Sequence, residues 1–181
     1  AFCDWSSDVC SSDLSHAGSA PRPVPTSRRN WTRCATGMAE AFVLDASVAM
    51  AWFLEGHKQP EMRYAAGVMN YLKETEGDCL VPFVWHAEVA AVLLRNHRAR
   101  RAGCDKAWLE GAMLTVQGLN IVTHHQAAGM QEIIRMGLAY HLQGYDALYF
   151  DLAKINGLPI ATFDRGILTA CKRFGVERLD V

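Results

Sequence analysis

From residue 42 onward the apolar residues fall into short blocks, and the blocks alternate with stretches of helical spacing. Phe42-Val43-Leu44 is an apolar run stopped by Asp45, the character of a buried strand. Ser47 is placed to cap a helix over 48–55, which Gly56 breaks. Pro60 suits a first helical turn, and 61–76 follows with Met62, Ala65, Ala66, Met69 and Leu72 on one face. Cys79-Leu80-Val81 predicts a second strand, stopped by Pro82. A strong helical pattern covers 84–100, and Asp105 caps another running to Gln117. A third strand is expected at 120–123, helices at 127–140 and 145–155, a strand at 159–162, a helix at 165–174 and a last strand at 176–179. Strands alternating with helices predict an α/β fold, a five-stranded parallel sheet flanked by helices in three layers.

Residues 1–37 break this pattern. They pass from Ser/Asp/Cys-rich to Pro/Ser/Arg-rich with neither helical nor alternating periodicity, and lack the apolar stretch of a secretory signal. Ser6-Ser7-Asp8-Val9-Cys10-Ser11-Ser12-Asp13-Leu14 resembles the translation of a sequencing adapter. That resemblance implies that 1–37 is a non-native, disordered extension, with translation starting at Met38 and one domain over 38–181; the alternative is a genuine disordered tail. The net charge of −1 argues against a polyanion binder held by bulk charge, so any nucleic-acid contact needs a local patch. No apolar run reaches the ~18 residues of a membrane span. Cys3, Cys10, Cys34, Cys79, Cys104 and Cys171 form no Cys-x-x-Cys pair, which reads as reduced thiols in a cytoplasmic protein.

Chemistry in a parallel sheet sits beyond the carboxyl ends of its strands. Asp45 stands at one such end and Asp164 at another; singly, each also reads as a helix cap. Asp146 opens the helix after Gly144. Glu88 is different, because its helical neighbours Val84, Trp85, Ala91 and Val92 are apolar and a carboxylate among them is costly unless it binds something. Four carboxylates converging on one edge would repel unless a divalent cation neutralised them. Hard oxygen ligands favour Mg²⁺ or Mn²⁺ over zinc, and such ions activate water against phosphodiesters. Arg95, His97, Arg98, Arg100 and Arg101 form a basic cluster that is either a solvated helix end or an RNA-backbone contact. Asp151 reads as a surface charge and His124-His125 as a turn.

The pieces Val43-Leu44-Asp45-Ala46-Ser47-Val48, Trp85-His86-Ala87-Glu88-Val89-Ala90, Tyr145-Asp146-Ala147-Leu148-Tyr149 and Ala161-Thr162-Phe163-Asp164-Arg165 occur in the order and spacing of PIN-domain ribonucleases. The chain resembles in particular the VapC-type toxins of toxin–antitoxin pairs. That resemblance implies that Asp45, Glu88, Asp146 and Asp164 are the catalytic, metal-binding quartet, with Ser47 and Thr162 close to the metal. It further implies a homodimer, an RNA substrate, Mg²⁺ or Mn²⁺ as cofactor and a cognate antitoxin. A haloacid dehalogenase phosphatase would want an acid where Ser47 stands, and a receiver domain would want a late-strand lysine. The remaining alternative is an inactive PIN-like module that binds RNA or protein.

Overall fold

The computed structural model describes residues 41–75, 79–125 and 128–181; the expectations for 1–37 fall outside these residues. Four parallel strands are assigned among them, β1 (Phe42–Leu44), β2 (Cys79–Pro82), β3 (Ile121–His124) and β4 (Ile160–Ala161), in the order β3-β2-β1-β4. Phe42 pairs with Cys79 and Val43 with Leu80 on one side of β1, and Val43 pairs with Ile160 and Leu44 with Ala161 on the other. A strand flanked on both edges and covered on both faces must be apolar throughout, and β1 is fully buried. β3, at the sheet edge, is only half-buried.

The helices are α1 (Ala46–Met50), α2 (Gln59–Thr75), α3 (Val84–Arg98), α4 (Lys106–Gln117), α5 (Met130–Tyr140), α6 (Asp146–Asn156) and α7 (Arg165–Phe174). α6 lies against β1 and β2, and α5 and α7 pack on it. That enclosure explains why Ala147, Leu148, Tyr149, Phe150, Leu152 and Ala153 are all buried, leaving little room for a polar stripe. α1 packs on α2 and α3, and α3 on β2 and α4. Among the described residues no helix is long and apolar enough to cross a membrane.

Two expectations are corrected. The fifth strand at 176–179 is reduced to a single parallel bridge between Ile160 and Arg178, with Ile160 N–H bonded to the Glu177 carbonyl and Leu179 N–H to the Ile160 carbonyl. The pairing does not extend because the backbone N–H groups of Phe163 and Asp164 are taken by the Ser47 and Thr162 hydroxyls. The first helix starts at Ala46 and ends at Met50, rather than running over 48–55, because Asp45 and not Ser47 is its cap.

Candidate active site

β1 and β4 are neighbours, so the segments leaving their carboxyl ends emerge side by side and are stitched together. Asp45 follows β1 directly and is 7% exposed. Its Oδ2 accepts the Ser47 hydroxyl at 2.6 Å and the Thr162 hydroxyl at 2.6 Å, while Oδ1 accepts the Ser47 N–H at 3.4 Å. Each hydroxyl is itself an acceptor: Phe163 N–H donates to Ser47 Oγ at 3.1 Å, and Asp164 N–H to Thr162 Oγ1 at 2.9 Å. A hydroxyl has one proton, so an N–H on its oxygen directs that proton to Asp45. Burial raises the proton affinity of Asp45, and these donors work against it.

Asp164 caps α7 by accepting the Ile167 N–H on Oδ1 at 2.8 Å. Gly166 makes room for that: a Cβ there would stand 3.0 Å from Asp164 Oδ1. Glu88 sits in the second turn of α3 and accepts the Tyr149 hydroxyl on Oε2. Its carboxyl is pushed up by burial, with Asp45 adding and Tyr149 opposing. Asp146 opens α6; it is pushed up to about 6 by burial and by the charges of Asp164, Asp45 and Glu88.

The fold therefore brings all four acids into one electrostatic field. It does not close them into a cage, since among the described residues no three His, Cys, Asp or Glu side chains are grouped as a metal site. Donors within the chain hold Asp45, Glu88 and Asp164, whereas burial and like charge raise the proton affinity of Asp146. The donor set fits a hard divalent cation: carboxylate oxygens without a soft ligand, and an excess of negative charge that two positive charges would offset in part.

The basic cluster is placed elsewhere. Arg95, His97 and Arg98 lie in the last turn of α3, which leaves the acidic edge at Val84. Arg98, ten residues beyond Glu88, is about 15 Å farther along the helix at the usual rise per residue. Arg101 donates to Asn96 Oδ1 at 3.1 Å, and His97 Nδ1 contacts the Cys104 carbonyl at 2.9 Å. Asp151, read as a surface charge, accepts the Tyr140 hydroxyl at 2.7 Å. Burial, and after it the charge of His125, lowers His86 and His124 from the ordinary histidine value. Tyr149 and Gly166 were missed as site residues. An aromatic three positions after Asp146 reads as core, and a lone glycine carries no chemistry.

A parallel α/β sheet with four acids about its carboxyl edge is an arrangement suited to phosphate-ester chemistry. The PIN domain family model matches residues 42–172, so the chain belongs to the PIN domain family. PIN domains are generally nucleases acting on nucleic acids with divalent metal ions, and membership gives this chain a nuclease-type function. No curated protein matches the chain. Among solved structures, PAE2754 from Pyrobaculum aerophilum is similar in fold, with a TM-score of 0.51 and 22% identity over 74% of this chain and 86% of that one.

Proposed function

We propose that this chain is an Mg²⁺- or Mn²⁺-dependent endoribonuclease, the toxin of a type II toxin–antitoxin pair, with Asp45, Glu88, Asp146 and Asp164 as its catalytic and metal-binding acids. The observation carrying this reading is that burial first, and then the charges of Asp164, Asp45 and Glu88, raise Asp146 to about 6. Such a concentration of partly buried negative charge lowers stability unless the site has a cationic ligand to hold.

Within this reading the bound cation supplies an activated water and offsets charge on the leaving oxygen. The chain's residues do the rest. Ser47 and Thr162 direct their protons to Oδ2 of Asp45 and leave Oδ1 as its more open oxygen. Asp164 fixes its carboxylate by capping α7. Arg95, Arg98, Arg100 and Arg101, all exposed, contact the RNA backbone at a distance from the cut. The nuclease is 38–181, acting in the cytoplasm as a homodimer, and a small antitoxin with a basic side chain occupies the acidic site.

The test is cleavage of a labelled single-stranded RNA by the full chain, with Mg²⁺, with Mn²⁺ and with chelator. Asp45→Asn, Glu88→Gln, Asp146→Asn and Asp164→Asn should each lower cleavage by roughly a hundredfold or more, on the scale of lost electrostatic catalysis. Full activity in Asp45→Asn and Asp164→Asn would overturn the assignment. RNA binding without cleavage by wild type would favour the inactive module. Growth arrest by this chain, relieved by a neighbouring gene, tests the toxin role.

A further inference from the structure

We propose that Tyr149 is a positioning residue that holds Glu88 for the cation, an inference that rests on the metal-dependent reading above. Tyr149 lies on α6, three residues after Asp146 and so one turn along the same side. Its side chain is 1% exposed, and a phenylalanine there would fill the core as well. The hydroxyl is therefore what needs an account, because a buried hydroxyl is tolerated only when bonded. It donates to Oε2 of Glu88, which ties α6 to α3.

Hydroxyls serve the carboxylates three times in this site. Ser47 takes the Phe163 N–H and Thr162 the Asp164 N–H. These two donate to Asp45, and Tyr149 donates to Glu88. Glu88 projects from α3, an element that does not carry the Asp45–Thr162–Asp164 network. Tyr149 ties it to α6, the helix that Asp146 opens, and leaves Oε1 for the cation.

Calorimetric titration of Mn²⁺ into the full chain tests this without relying on cleavage. Tyr149→Phe should bind Mn²⁺ roughly tenfold more weakly, as when a group orienting a ligand is lost. In a Glu88→Gln background the same change should add less than about twofold, since coupled residues are not additive. Equal Mn²⁺ affinity in wild type and Tyr149→Phe would overturn the role of Tyr149 alone. A tenfold loss persisting in Glu88→Gln would overturn it too, by showing that the hydroxyl acts elsewhere. Failure of wild type to bind Mn²⁺ would overturn the metal reading itself. Should Tyr149→Phe not fold, fluorine resonances of 3-fluorotyrosine-labelled wild type decide. One that differs in Glu88→Gln should move on adding Mg²⁺, and one that stays fixed would overturn the inference.

Discussion

Thr162 is fully buried, and its hydroxyl joins two chain segments by accepting from Asp164 N–H and donating to Asp45. Removing that hydroxyl while keeping the volume leaves a buried N–H without its partner and Asp45 short of a donor. Thr162→Val should therefore cost about 1–3 kcal/mol per group left unsatisfied. Thr162→Ser loses only a buried methyl, worth about 0.8 kcal/mol. Urea unfolding of the two variants gives the check: valine should be the worse, whereas packing alone would make serine the worse. Asp146 makes a second test, in pH. Its folded carboxyl is pushed to about 6 from an ordinary 3.8, so the metal-free folded state binds more protons than the unfolded chain between those values. Its contribution is then fully present below about 4 and lost as pH rises through about 6. Denaturation of chelated protein from pH 4 to 7 should show this loss, Asp146→Asn should flatten it, and an unchanged profile in that variant would reject Asp146 as the source. Asp45, Asp164 and Glu88 were legible in the sequence as acids where an apolar run ends or a stripe is interrupted. Tyr149 was not, because nothing in an aromatic's spacing tells which atom its hydroxyl meets.

At the scale of elements, the strands and helices were legible where an apolar block is long or a cap is unambiguous. α7 (Arg165–Phe174) has the expected bounds, with Asp164 capping it and Gly175 in the left-handed region beyond it. α1 was misread because Asp45 and Ser47 are both good caps, and only the fold decides which side chain turns back. α5 ends less comfortably. His141, its C-cap, holds a left-handed backbone at φ 56°, where a Cβ costs roughly 1–2 kcal/mol. Inside the same helix, a Cβ on Gly137 would stand 2.8 Å from the Leu142 carbonyl oxygen, a backbone atom that cannot swing aside. Leu142 N–H returns to the Gly137 carbonyl at 3.0 Å, so chain reversal and close approach belong to one turn. His141→Gly should raise stability by up to about 1 kcal/mol. Gly137→Ala should lower it by roughly 1–3 kcal/mol despite alanine's better helix propensity, since overpacking outweighs it. A thermal melt in which Gly137→Ala gains stability would show that propensity, not the Leu142 contact, controls this turn.

At the scale of the whole molecule, α5 presents two apolar faces. Ile133, Met136 and Tyr140 pack inward on the core. Met130, Ile134 and Leu138, spaced by four, stay 75%, 54% and 74% exposed and lie along one outer stripe. Scattered exposed apolar residues are ordinary, but a continuous stripe on a helix whose other face is already used marks a surface for a partner. Within the proposed function that partner is a second copy, which would have to cover about 800 Å² per protomer for a stable pair. Three side chains do not supply that area alone, so the interface must reach past α5. Light scattering at tens of micromolar should give twice the chain mass for wild type, and Ile134→Asp with Leu138→Asp should halve it. Because both positions are exposed in the single chain, the variant should keep its fold by circular dichroism. A dimer that survives both aspartates would move the interface off α5, and a monomeric wild type would leave this stripe to the antitoxin.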